Sequence, residues 1–420
     1  MNVELINTGS ELMLGRVLNT HQQWLCRRLA DLGYVVSRQV AVADTGKDIE
    51  TAVREALTRA DLIITTGGLG PTSDDITRDL IAQMLGRKLT EDPSIVQHIE
   101  QFFTSRKRTM PASTRIQAMV PDGAIVLANP NGTAPGLAMG VNPNPFRTNG
   151  KPSWLVMLPG PPRELRPMFN DTVAPLLCRV LPLDGEFVCR TLRTIGMGES
   201  LVADKIEGPL RPFVQRGMDL GYCARVGQVD VRLVARGADA TRLVQEAEGV
   251  VRQHLNKIIF GTDDDELETV IVRLLTERKQ TLVLAESCTG GGLANRITNV
   301  PGASAVLIAS LVTYANEAKQ KILGVKPETL AAHGAVSEAV AREMADGAQR
   351  ATGADFALSV TGIAGPGGGS EAKPVGTVFL GLAAADETIV LRQFNAFDRE
   401  TFKLVTCTQA LEMLRRKLIG

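Results

Sequence analysis

Along this chain the apolar positions fall into two alternating rhythms. A short apolar run, Val3–Ile6, is followed by a segment up to Gly33 in which Trp24, Leu25, Leu29 and Leu32 recur at helical spacing. The first rhythm predicts a strand and the second a helix stopped by Gly33. A strand is then predicted over Tyr34–Val42, a helix over Gly46–Arg59 and a third strand over Ala60–Thr65. That order is the signature of a doubly wound α/β sheet, whose ligands sit at the C-terminal ends of the strands. The loops TGSELMLG and TTGGLGPTSDD fall at those ends. Farther on, Val120–Met139 reads as strand, polar loop and strand. Trp154–Phe169 reads as a strand, a stiff PGPP turn and a helix begun by Pro161 and Pro162, with Glu164 in its first turn. Between them, Gly140–Ser153 is predicted to be an exposed loop because it is rich in Pro and Asn.

The pattern changes twice more. From Glu186 to Gly261, strand-like alternation in FVCRTLRTIGM and VDVRLVARG flanks helical segments, which predicts a small α+β unit. The arginines on its strands are expected to form a solvated face. From Asp264 an amphipathic helix leads to the strand TLVLAE, and a helix is predicted over Cys288–Thr298. With 420 residues, two or three domains are expected. The boundaries are placed at 1–182, 183–261 and 262–420.

Composition narrows the function. The 46 basic and 46 acidic residues cancel, so no bulk field draws the chain to nucleic acid or to an anionic membrane. The middle unit has no GxxG loop between helices, and with two Trp and three Tyr in the chain there is little to stack bases on. No direct nucleic-acid contact is expected. Six scattered cysteines without a CxxC pair fit a reducing compartment. The apolar runs are too short to span a bilayer, and the N-terminus does not read as a signal peptide. The expectation is a cytoplasmic protein.

Two loop systems carry candidate chemistry. In the first, Gly67, Gly68 and Gly70 let the backbone approach an anion, and Thr66 and Thr72 add hydroxyls. Asp74 and Asp75 are predicted to open the next helix and, with Glu11 from the first loop, could hold a divalent cation. The plainer reading is that Ser73 or Asp74 caps the helix and the glycines make a turn. Asn131 and Thr133, beside Asn129 and Gly132, could face a polar ligand or build turns.

In the second system Ser287 follows a strand directly, and backbone donors near Thr289, Gly290 and Gly291 could meet an oxyanion. Serine needs a base. His21, His98 and His254 lie outside these loops, and His333 could reach the site or simply pack. Lys319 can serve if burial lowers its pKa, with Tyr314 in the preceding loop to relay or orient. The plainer reading is a surface lysine. Thr361, Gly362, Gly365, Gly367 and Gly368 form a neighbouring anion-friendly loop, and Lys373 could meet a phosphate. Each site reads as a hydrolase or as a nucleotide sensor without turnover.

Taken together these motifs resemble the CinA family, once called competence-damage inducible. TGSELMLG, TTGGLGPTSDDIT, NPNGTAPG and LPGPPRE are similar to molybdopterin-binding domains such as MoaB and MogA. The middle unit resembles the family's KH-like domain, and AESCTGG, TYANEAK, GAVSE and SVTGIAGPGGG resemble its C-terminal domain. The resemblance implies a nicotinamide-nucleotide amidohydrolase at the C-terminus, acting in pyridine nucleotide recycling without a cofactor. Ser287, Tyr314 and Lys319 fall on the family's catalytic Ser, Tyr and Lys. It implies an N-terminal ADP-ribose pyrophosphatase dependent on Mg, Mn or Co, with Asp75, Asp74 and Glu11 as candidate ligands, and a homodimer. Related domains have GDE or GEE where this chain has Gly9-Ser10-Glu11. The alternative is a nucleotide- or pterin-binding protein without catalysis, accessory to competence or to the DNA damage response.

Overall fold

The computed structural model describes residues 1–183 and 185–420. They form two compact units, Met1–Phe187 and Val188–Gly420. The strands of the first unit are β1 (Val3–Thr8), β2 (Val36–Val42), β3 (Leu62–Thr66), β4 (Leu89–Glu91), β5 (Met119–Pro121), β6 (Ile125–Leu127), β7 (Gly136–Val141) and β8 (Ser153–Leu158). Six of them make one sheet in the order β2-β1-β3-β8-β7-β6, and β4 pairs with β5 apart from it. Strands β2, β1, β3 and β8 run parallel, and β7 turns back against β8. The helices are α1 (Ser10–Met13), α2 (Thr20–Asp31), α3 (Gly46–Leu57), α4 (Thr77–Met84), α5 (Pro93–Ser105), α6 (Pro162–Met168) and α7 (Ala174–Val180).

Successive side chains of a strand point to opposite faces. Val3 and Leu5 therefore pack with Leu25, Leu29 and Phe169 on one face, whereas Ile6 packs with Ile49, Val53 and Leu57 on the other. Parallel strands covered on both faces read as continuous apolar runs, which is why β3 was legible; in β1 the run is broken by Glu4, which is buried beside Arg59 at 2.6 Å. The Gly140–Ser153 segment departs from expectation, because it is anchored rather than exposed along its length. Asn144 is fully buried, and its Nδ2 donates to the Leu57 carbonyl at 2.8 Å and to Ser153 Oγ at 2.9 Å. Arg147 reaches Asp61 at 3.0 Å. Burial alone would raise the Asp61 carboxyl, but hydrogen bonds from Lys151, the Asn2 N–H and Arg147 hold it at about 2.

The second unit opens with β9 (Phe187–Ile195), α8 (Glu199–Gln215), β10 (Asp219–Arg225), β11 (Gln228–Arg236), α9 (Ala240–Leu255) and β12 (Ile259–Thr262). Its sheet has the order β10-β11-β9-β12. The arginines of these strands do not share one solvated face. Arg232 and Arg236 are exposed, but Arg193 is fully buried and meets Asp230 at 3.2 Å and Glu266 at 2.8 Å. A guanidinium can be buried when carboxylates surround it.

Next come α10 (Leu267–Arg278), β13 (Leu282–Glu286), α11 (Gly292–Thr298), β14 (Leu307–Val312), α12 (Asn316–Leu323), α13 (Pro327–His333), α14 (Glu338–Thr352), β15 (Phe356–Gly362), β16 (Thr377–Ala383), β17 (Thr388–Phe394) and α15 (Arg399–Ile419). This sheet runs β14-β13-β15-β16-β17, with β14, β13 and β15 parallel and the last two antiparallel. Leu282 and Leu284 pack under α10, α11 and α15, while Val283 and Ala285 pack under α12 and α14. Among the described residues no helix is long and apolar enough to cross a membrane.

One glycine sets the spacing of the second layer. A glycine inside a helix costs about 1 kcal/mol relative to alanine. Helix α14 nonetheless carries Gly347, because a Cβ there would lie 1.8 Å from the Leu323 carbonyl oxygen at the end of α12. Gly347→Ala is expected to destabilise this unit by about 1–3 kcal/mol. Thermal unfolding would show it as a lowered midpoint.

Candidate active site

Because β13 and β15 are parallel neighbours, the loops that follow them emerge at the same edge. Ser287 comes directly after β13, and its N–H donates to the Val360 carbonyl of β15 at 3.0 Å. The helix predicted from Cys288 begins only at Gly292. Gly290 and Gly291 interrupt it with φ of 62° and 93°, a region that glycine enters without strain. In the turn they create, the main-chain N–H of Cys288 is met among the described residues only by its own thiol, and that of Thr289 by no group. Gly290 instead donates to the Ser287 carbonyl at 3.1 Å. Glu286 is fully buried, and its carboxylate accepts from the N–H groups of Gly291 at 3.0 Å, Leu293 at 3.1 Å and Ala294 at 2.9 Å. The orphan donors at the start of α11 are thus satisfied from the residue before Ser287.

Lys319 lies on α12 and is 1% exposed. Its Nζ stands 3.2 Å from Ser287 Oγ, 2.8 Å from the Thr313 carbonyl and 3.1 Å from the Tyr314 carbonyl. Among the described residues these three oxygens are its partners, and no carboxylate is. Burial lowers its pKa, because an ammonium taken from water loses hydration. Burial has the opposite effect on the neighbouring Cys288 thiol, which it pushes up to about 12. A thiol so held keeps its proton and is a poor nucleophile.

Tyr314 takes part differently. Only its main-chain oxygen meets Lys319, and its hydroxyl accepts from Arg399 Nη2 at 2.8 Å. Arg399 Nη1 donates to the Gly365 carbonyl at 2.7 Å. Ser287, Tyr314, Lys319, Thr361, Gly362, Gly365, Gly367 and Gly368 line one cleft of about 280 Å³, joined by Asn316, Val336 and Arg399. Thr289, Gly290 and Gly291 do not line it. His333 and Lys373 also lie off the cleft, where the lysine Nζ donates to the His333 carbonyl at 2.6 Å. Arg399 carried no motif signal, since it belongs to a helix start that looks solvent-facing in sequence, whereas Asn316 lay inside TYANEAK without being singled out.

A second cleft, of about 420 Å³, opens at the strand ends of the first unit. Glu11, Gly67, Gly68, Gly70, Asp74, Asp75 and Thr133 line it, as do Asp44, which no motif contained, and Glu164, which was read only as a residue of a helix's first turn. Thr72 and Asn131 do not. The buried neighbour Asn129 takes up the role open to this loop, because its Nδ2 donates to Glu164 at 2.9 Å. Ser10 is tied to Asp44, whose carboxylate accepts the Ser10 N–H at 2.7 Å. Asp74 and Asp75 precede the helix instead of opening it. Helix α4 starts at Thr77, with no side-chain cap, and the Thr77 N–H donates to the Gly68 carbonyl at 3.2 Å. A Cβ on Gly68 would stand 2.0 Å from Thr77 Oγ1, so this closure requires glycine. Asp75 turns back on Thr72, accepting its N–H at 3.0 Å and its hydroxyl. Among the described residues no three His, Cys, Asp or Glu are grouped to hold an ion by themselves. The donors fit the magnesium habit of one or two carboxylates completed by phosphate oxygens.

Three family models match in succession. A model described as "Probable molybdopterin binding domain" covers residues 4–179, "Damage-inducible protein CinA KH domain" covers 189–261, and "CinA C-terminal domain" covers 264–418. A CinA-like protein of Akkermansia muciniphila is 42% identical over 99% of this chain and 98% of its own. A CinA-like protein of Kosmotoga olearia is 40% identical over 100% and 99% respectively. The crystal structure of a competence/damage inducible protein from Agrobacterium tumefaciens is 43% identical, covering 37% of this chain and 94% of that one with a TM-score of 0.36.

Proposed function

We propose, from the premise that this chain belongs to the CinA family, that its C-terminal cleft hydrolyses a carboxamide. Nicotinamide mononucleotide and water become nicotinate mononucleotide and ammonia. The observation that carries this reading is the buried Lys319 Nζ, 3.2 Å from Ser287 Oγ and without a carboxylate partner. A neutral lysine has two N–H bonds and one lone pair. The Thr313 and Tyr314 carbonyls take the two N–H groups, which leaves the lone pair for the Ser287 proton.

Ser287 Oγ then attacks the carboxamide carbon, and the negative charge on the amide oxygen meets the main-chain N–H of Cys288, which lines the cleft. Lys319 passes its proton to the nitrogen, the C–N bond breaks, and ammonia leaves an ester on Ser287. Water, deprotonated by the same lysine, attacks that ester. The bond to Oγ breaks, Ser287 recovers its proton, and the carboxylate departs. No cofactor enters this route. Ammonia release from nicotinamide mononucleotide by the purified chain tests it, and bound nucleotide without ammonia would leave a sensor.

For the N-terminal cleft we infer cleavage of ADP-ribose to AMP and ribose 5-phosphate. One or two of the carboxylates Asp75, Asp74 and, across the strand ends, Glu11 would hold a divalent cation, Mg, Mn or Co, with the phosphates supplying the remaining oxygens. Its chemistry when bound is neutralisation of charge on the phosphoryl oxygens. Gly67 and Gly68 bring main chain close to those oxygens. Asp75→Ala is expected to abolish AMP formation and to leave ammonia release as it was, because the two clefts are on separate units. Measuring both products on one preparation checks this. The hold of Asp75 on Thr72 favours a second reading, a nucleotide or pterin cleft without turnover and accessory to competence or DNA damage. It predicts binding with no AMP under any of the three metals. A homodimer belongs to the same family-based reading, and sedimentation measures it.

A further inference from the structure

We propose that Tyr314 is a flat platform for the cationic ring of the substrate and stands outside the proton path. The identity of that ring rests on the deamidase reading. The Tyr314 side chain is 61% exposed, and it is the sole aromatic ring among the residues lining the cleft. Its hydroxyl is occupied by the bond from Arg399, which is itself anchored on the Gly365 carbonyl. The phenol is therefore held by its rim while a face of the ring stays open. Among the described residues no guanidinium stacks on it.

The lysine, for its part, does not need the phenol. Each of the three contacts of Lys319 Nζ is to Ser287 or to a main-chain oxygen. Proton transfer from Ser287 to Lys319 and on to the leaving nitrogen is complete without a third side chain. What the cleft otherwise lacks is a surface for an aromatic ligand. Aromatic faces attract cations and stack on planar rings, so an open tyrosine face beside the nucleophile suits a pyridinium nucleotide. The same nucleotide with its ring reduced keeps the carboxamide, ribose and phosphate but loses the positive charge and the aromaticity. Tyr314 is then the residue that distinguishes the two forms.

Binding is measured by calorimetry on the Ser287→Ala chain, with nicotinamide mononucleotide and its reduced form as probes. Turnover is measured as ammonia release by chains that retain Ser287. Adding Tyr314→Leu to Ser287→Ala is expected to weaken the oxidised nucleotide about tenfold and the reduced form less than about twofold. Tyr314→Phe keeps the ring and loses the Arg399 bond, so KM should rise about threefold with most of kcat retained. A fall in kcat of about 100-fold in Tyr314→Phe at constant KM would put the phenol in the proton path and overturn the proposal. Equal weakening of both nucleotides by Tyr314→Leu would overturn it too. If the parent discriminates the two forms through Tyr314 yet releases no ammonia, the platform stands and the deamidase reading falls. If neither form binds, both fall.

Discussion

Ser287→Ala is expected to lower ammonia release from nicotinamide mononucleotide by about 10,000-fold or more, because removing a covalent nucleophile removes the route and not one contact of it. The fold should survive. Ser287 is 9% exposed, and its structural bond to Val360 is made by the main-chain N–H, which alanine keeps. Circular dichroism and the unfolding midpoint should match the parent while ammonia release disappears. Near-parental release by this variant would move the nucleophile elsewhere.

The second large effect is at Lys319. Lys319→Met should be inactive at every pH. In the parent, activity should climb as pH rises through the lowered lysine pKa and then level off, because the neutral amine is the working form. Stability follows the same proton. A lysine whose folded pKa lies below the ordinary 10.5 binds fewer protons in the fold than in the unfolded chain between those two values. Stability therefore rises with pH across that window, and the penalty is fully present below it. Methionine removes the ionisable group, so Lys319→Met is expected to unfold about 2–4 °C higher than the parent near neutral pH while losing its turnover. A midpoint well below the parent's would show that the three hydrogen bonds of the ammonium outweigh its lost hydration.

The reading order of the chain explains which of these features were visible in advance. Parallel strands such as β3 and β13 declare themselves, because burial on both faces makes them apolar runs up to their C-terminal ends, whereas β1 was read through Glu4, which the fold buries beside Arg59. Strands β10 and β12 lie at the two edges of their sheet and did not. The position of Ser287 was legible from a strand ending in a glycine-rich turn. The extent of the following helix was not, since Gly290 and Gly291 were read as helix residues and act as its brake. Arg193 and Asn144 show a different limit. A polar residue is assigned to the surface until its partners are known, and Asp230, Glu266, Leu57 and Ser153 are remote in sequence or on other elements. Asp44 and Arg399 were missed for that reason as well. Each enters its cleft through the fold and carries no local motif.

The final helix has a consequence in time as well as in space. Phe402, Leu411 and Leu414 of α15 are fully buried in the same core as Leu284 and Leu358, and Arg399 in its first turn fastens both Tyr314 and Gly365. Chains emerge from the ribosome N-terminus first. The segment that closes the mouth of the Ser287 cleft is thus made after Ser287 and Lys319, and a nascent chain holding both still lacks the wall that Arg399 builds. Emergence of α15 acts as the assembly step of this cleft, and a stop codon anywhere before it leaves an unfinished cleft however much of the motif sequence precedes it.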